Sequence, residues 1–126
     1  WTSPDNSVFA ARDKDAWDWT MMIPLPDAVS SQDVADGLER GARKKPGLPI
    51  STLRALPLVE GRSLQILHVG TYDDEAATLA RLHDEVMPER GLTFNGPHHE
   101  IYLSDPRRVA PERMRTVLRQ PVRPVG

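Results

Sequence analysis

Prolines decide most of what this chain can become. Twelve of them, with eight glycines, punctuate 126 residues, and each proline fixes φ and removes a backbone donor, so long helices and broad unbroken sheets are excluded. Short elements joined by many turns remain. Hydrophobic residues at 39% and charged residues at 27% are ordinary for a globular chain, and the length suits one domain over residues 1–126. Apolar runs such as Met21-Met22-Ile23 stop at Pro24, far short of the roughly 20 residues a membrane-spanning helix needs. The absence of cysteine removes disulfides, thiolate metal sites and cysteine nucleophiles, and fits a reducing compartment. Residues 1–10 lack a basic segment followed by an apolar one, so the expected location is cytoplasmic.

The formal net charge is -2, which argues against a general nucleic-acid binder, because such affinity rests on neutralising phosphates. Its distribution is uneven. Residues 1–60 carry nine acids and seven bases, residues 61–105 eight and three, and residues 106–126 one and six. The basic tail reads as a solvated arginine-rich helix face balancing the acidic middle, with a DNA-contacting tail as the rival reading.

Periodicity then places the elements. Residues 1–7 read as a strand end running into a turn, and residues 16–23 as a strand with Trp17, Trp19, Met21 and Ile23 on one face. Ser30-Ser31-Gln32-Asp33 predicts a helix start with Val34, Leu38 and Ala42 at helical spacing, closed by Lys44-Lys45-Pro46-Gly47. Residues 52–59 read as a strand, and residues 63–69 as a central strand apolar on both faces. Asp73, Asp74 and Glu75 suit the positive end of a helix dipole; the helix they open carries Ala76, Leu79, Leu82 and Val86 and stops at Pro88 and Gly91. After a turn at Phe94-Asn95-Gly96-Pro97, residues 98–104 form a strand with His98, Glu100 and Tyr102 on one side and His99, Ile101 and Leu103 on the other. A short helix over residues 111–120, with Met114, Val117 and Leu118 inward, completes the set. The fold class is α+β, with helices covering one sheet face.

If the helices cover the Ile101 and Leu103 face, the other face offers His98, Glu100 and Tyr102, joined by Trp17 and Trp19 where the registers agree. Aromatic walls hold flat hydrophobic molecules, a desolvated carboxylate gains a raised pKa and a phenol donates a hydrogen bond, so this combination has a pocket's composition. Each part taken singly has a plainer reading, as sheet core or open sheet surface. Adjacent His98 and His99 point to opposite faces and cannot chelate one ion together, and His68 or His83 would have to converge on His98 and Glu100 to complete a metal site. No metal is expected. Neither a glycine-rich phosphate loop nor a G-x-S-x-G elbow is present, so neither a nucleotide cofactor nor a serine hydrolase is expected.

Three runs carry a resemblance. Gln65-Ile66-Leu67-His68-Val69-Gly70-Thr71-Tyr72-Asp73-Asp74-Glu75, His98-His99-Glu100-Ile101-Tyr102-Leu103-Ser104-Asp105-Pro106-Arg107-Arg108 and Leu118-Arg119-Gln120-Pro121-Val122 resemble the GyrI-like small-molecule-binding family. Trp17-Asp18-Trp19 is similar to its W-x-W strand, and Thr71 stands where the family usually has proline. The resemblance implies two strand-helix-strand-strand modules forming a concave sheet with a pocket between them. Trp1 resembles the end of a first-module strand, so the resemblance leads to the expectation that the opening strand and helix of that module fall outside residues 1–126, either upstream of them or lost in a truncated variant. Among the family's drug sensors, gyrase-inhibitor-like proteins and hydrolases, the motifs most resemble the hydrolases that open the cyclopropane of flat DNA-alkylating natural products. That branch implies Glu100 as the base that activates water, Tyr72 or Tyr102 as the donor to the developing oxyanion, and Trp1, Trp17 and Trp19 stacking on the substrate, with His98 lining the pocket. No cofactor is implied. The partner is a planar aromatic small molecule, with no membrane and no nucleic acid, and the oligomeric state is left undefined. Thirteen arginines against three lysines suggest a GC-rich genome, compatible with self-resistance. A non-catalytic binder using Glu100 as counter-charge for a planar drug is the alternative, and a gyrase- or DNA-binding tail over residues 107–123 is a third.

Overall fold

The protein is described by a computed structural model over residues 18–126; Trp1, Trp17 and the expected strand end at residues 1–7 lie outside the described residues. Two compact units emerge, residues 21–59 forming one and residues 60–126 the bulk of the other. The smaller unit is built on helix α1, Ser31–Lys44. Its start is the expected one: the Ser30 hydroxyl accepts from the Asp33 N–H while the Asp33 carboxylate accepts from the Ser30 N–H, a reciprocal cap. Val34, Leu38 and Gly41 make its half-buried side, and Ile50, in the short 3-10 turn Ile50–Thr52, lies over Gly41. Residues 53–59, expected as a strand, enter no ladder. Pro57 interrupts them, and Leu53, Leu56 and Leu58 are exposed. The strand expected at residues 16–23 is likewise absent over residues 19–23, where Met21 and Ile23 are exposed.

The larger unit is a four-stranded antiparallel sheet with helices on one face, an α+β architecture. Its strands are β1 Ser63–Val69, β2 Leu92–Phe94, β3 His99–Tyr102 and β4 Arg115–Pro124. β4 is the hub: β1 pairs along one side of it, and β3 and β2 pair in tandem along the other. Two expectations change here. β1 pairs only with β4 among the described residues, so within them it is an edge strand, not a central one. Residues 115–120, expected as an arginine-rich helix, are strand. Met114, Val117 and Leu118 fit helical spacing, but Thr116, Leu118, Gln120 and Val122 alternate inward at a period of two and are all buried. Gln120 tolerates burial because its amide donates to the carbonyls of Gly96 at 2.8 Å and Pro121 at 3.1 Å.

Between β1 and β2 the chain makes a 3-10 turn, Tyr72–Asp74, then helix α2, Glu75–Ala80, a π-helical turn, Arg81–Val86, and helix α3, Met87–Glu89. Gly91 at φ 62° ends the run. Met87, Leu92 and Val122 form the buried core with Leu64 packed against them. The register places the sheet's rows: Ile66, Leu118 and Glu100 lie side by side, as do His68, Thr116 and Tyr102. His68, Thr116 and Leu118 are buried, and His68 bonds Thr78 of α2, so this is the helix-covered face. The expected orientation is therefore reversed. Glu100 and Tyr102 lie on the side the helices cover, while Ile101 shares the opposite face with Val117 and Leu67.

Candidate functional site

The reversal brings Glu100 and Tyr102 together with groups from the helical segment. The Tyr102 hydroxyl donates to Glu100 Oε2 at 2.6 Å, and the Tyr102 ring meets Tyr72 edge to face, centroids 5.3 Å apart. Tyr72 arrives from the 3-10 turn that follows Gly70. That glycine sits at φ 140°, and a Cβ there would come within 3.2 Å of His68 Nε2, so only glycine lets the turn pass the buried histidine. His68 anchors the turn in return. Its Nε2 lies 3.0 Å from the Thr71 carbonyl, which can only accept, so Nε2 carries the proton and Nδ1 accepts from the Thr78 hydroxyl at 2.9 Å. Thus His68, one of the groups weighed for a metal, is a strut under Tyr72.

Two tyrosines mark the open edge, with Tyr72 40% and Tyr102 60% exposed, and the interior is acidic. Glu75, the first residue of α2, is only 6% exposed, and its Oε1 is buried with no hydrogen-bond partner among the described residues. Burial, and after it the Glu100 carboxylate, pushes Glu75 up to about 7, the Thr116 hydroxyl pulling the other way. The tyrosines respond in kind: burial and the surrounding carboxylates raise Tyr72, and burial with the bond to Glu100 raises Tyr102. Both phenols hold their protons more tightly than usual.

His98 closes the inner end, buried, with Nε2 3.8 Å from Glu100 Oε1. Burial, and next the neighbouring His83, lowers it to about 3, so near neutral pH it faces Glu100 as an uncharged ring, not as half of an ion pair. The π-helical turn carries His83 to it, ring centroids 5.8 Å apart, and Phe94 packs on the other side of His83 at 5.1 Å. His99 points away, as the alternation requires. On the far face its Nδ1 meets Glu60 at 3.0 Å, and Arg119 meets the same carboxylate at 2.8 Å. Burial raises Glu60, but bonds from Arg119 and His99 outweigh it and hold the carboxyl below its ordinary value. No three metal-ligating side chains converge among the described residues. The basic tail is distributed otherwise than expected: Arg115, Arg119 and Arg123 sit on β4, and Arg107 and Arg108 both pair with Asp105.

Of the residues singled out in the sequence, Glu100, Tyr102, Tyr72 and His98 therefore form one cluster. Trp19 is described and 59% exposed. Glu75 escaped the sequence reading because an acid opening a helix has an ordinary role beside the dipole; its place in the Tyr72-Asp73-Asp74-Glu75 run, so near a singled-out tyrosine, was the available signal.

The sequence profile of the GyrI-like small molecule binding domain matches residues 10–123. The chain belongs to that family. Solved structures agree: this GyrI-like chain is 36% identical to one described as a hydrolase from Listeria innocua, with a TM-score of 0.76 over 88% of its own length and 58% of the other chain. A second hydrolase from that organism is 36% identical at a TM-score of 0.67, and an uncharacterized conserved protein, also from Listeria innocua, is 37% identical at 0.70. Both of these are covered over 50% of their length by 79% of the GyrI-like chain. The chain thus spans between half and three fifths of the structures it matches. No curated protein matches it. Among the described residues no helix is long and apolar enough to cross a membrane.

Proposed function

We propose that this GyrI-like chain takes flat aromatic small molecules carrying a strained cyclopropane conjugated to a dienone, and opens that ring with water. The observation that carries the reading is the Glu100 carboxylate, set beneath the helices with a tyrosine hydroxyl at 2.6 Å and a second tyrosine against the first. The hydrolase descriptions of two Listeria innocua relatives favour chemistry over binding alone.

Ring opening asks for few groups. Water must be deprotonated as it attacks the methylene, and the carbonyl oxygen, which becomes phenolic, must be stabilised; strain and aromatisation supply much of the driving force. Glu100 serves as base, with Tyr102 fixing its orientation. The half-exposed rings of Tyr72 and Tyr102 give a flat substrate a surface to lie against, and Trp1, Trp17 and Trp19 are proposed to extend it. His98, uncharged, lines the inner end without cancelling the negative charge on the base. Detoxification, or self-resistance in a cytoplasmic setting, is the role such a reaction would fill.

A second reading, binding without chemistry, is favoured by the family's description as small-molecule-binding domains. One experiment separates them. Incubation with an indole-fused spirocyclopropyl dienone, followed by mass spectrometry, should yield a product heavier by one water, and Glu100→Gln should slow its formation by about 100-fold or more while the compound still binds. Unchanged compound with the wild-type protein leaves the binder, and undiminished turnover by Glu100→Gln removes Glu100 as the base.

A further inference from the structure

The opened ring needs a proton as well as a base, and neither tyrosine is placed to give one away. The hydroxyl hydrogen of Tyr102 is already directed at Glu100 Oε2. Burial, and after it the acidic surroundings that include Glu100 and Asp105, oppose formation of a phenolate at Tyr72. Such phenols can orient a substrate, but transferring their protons is unfavourable.

Glu75 has what they lack. It is 94% buried by its 6% exposure, its Oε1 has no hydrogen-bond partner among the described residues, and it shares its surroundings with Glu100 of β3, Thr116 of β4, Tyr72 of the 3-10 turn and Tyr102 of β3. The Glu100 charge acts on Glu75, and of two interacting carboxyls the more deeply buried one, with an oxygen left unsatisfied, is the one that keeps the proton.

We propose that Glu75 is the catalytic acid of this site, working opposite Glu100. The proposal rests on the hydrolase reading and adds to it the group that completes the proton balance. Water loses a proton to Glu100 as its oxygen bonds to the cyclopropane methylene. The carbon–carbon bond of the ring breaks, its electron pair passes through the dienone, and the carbonyl oxygen takes the Glu75 proton to become a phenol. Glu100 then returns its proton to Glu75 across the shared site. The substrate has gained one water, and both carboxyls are as they began. The acid's value of about 7 matches an operating pH near neutrality, where proton donation and recharging are both efficient.

The test is kcat and KM against pH, from 5 to 9, for the wild type, Glu75→Gln and Glu75→Asp, on the indole-fused spirocyclopropyl dienone. The wild type should lose about tenfold in kcat per pH unit above about 7 as the acid ionises. Glu75→Gln, which can hydrogen-bond but cannot release a proton, should lower kcat by about 100-fold or more at pH 6, abolish the alkaline decline and leave KM within a few-fold. Glu75→Asp should restore part of kcat together with the decline. Turnover by Glu75→Gln at the wild-type rate with the wild-type pH profile overturns the assignment and leaves the hydrolase reading intact, as does a change confined to KM. A wild-type protein that forms no water adduct overturns both.

Discussion

Holding a carboxyl protonated at neutral pH has a consequence for folding that does not depend on any substrate. In the unfolded chain Glu75 ionises near 4.5, whereas in the folded protein it does so at about 7. Below 4.5 both states carry the proton and the group is neutral in its effect. As the pH rises from 4.5 to 7 the unfolded chain releases the proton first, so the folded state loses ground; above 7 the full cost stands. Each tenfold preference for the protonated form is worth about 1.4 kcal/mol, so the gap between 4.5 and about 7 sets a ceiling of about 3.5 kcal/mol. Glu75→Gln keeps the shape and cannot ionise. Urea denaturation of wild type and variant at pH 4, 5, 6, 7 and 8 should show the variant gaining steadily, from near parity in slope at pH 4 to an advantage grown by about 2 to 3 kcal/mol at pH 8. All other carboxyls are common to both proteins and cancel in the difference. A difference that stays flat between pH 5 and 8 would refute the protonated Glu75.

Three further outcomes follow from geometry. Gly70→Ala forces a Cβ to 3.2 Å from His68 Nε2 at a φ that side chains avoid, and should cost about 1–3 kcal/mol, read as a lowered thermal midpoint. Ser30→Ala removes the hydroxyl half of the reciprocal cap of α1 and should cost about 1 kcal/mol, visible as lost helical circular dichroism, while Ser30→Thr should recover most of it. The His98 ring, lowered to about 3, should show no protonation shift in an NMR titration from pH 7 to 4.5; a midpoint near 6.5 would mean the ring is not buried as described.

The parts legible in the sequence were those written in local chemistry. Ser30 and Asp33 announced α1 because a cap is a short-range bond. The alternation of residues 98–104 correctly separated His98, Glu100 and Tyr102 from His99 and Ile101, since a strand's period is independent of its neighbours. Which of those sets the helices cover is a tertiary question, and apolarity gave the wrong answer. The tyrosine hydroxyl helps to make placing Glu100 on the helix side tolerable by bonding its carboxylate. β4 was hidden for a related reason. Its inward row includes Thr116 and Gln120, polar residues that break an apolar count, and Gln120 is satisfied by carbonyls of the turn at Gly96 and of Pro121, a turn contact the sequence does not display.

β4 supports the ladder on both sides and also runs beneath the acid cluster, with Thr116 beside Glu75 and Leu118 level with Glu100. Architecture and chemistry therefore draw on the same few positions, and replacing any of them disturbs both at once. Freedom to retune which molecules are accepted lies at the rim, where Tyr72, carried on the 3-10 turn outside the ladder, can be exchanged for another ring without unpicking the keystone strand. A laboratory seeking altered selectivity should begin with that side chain.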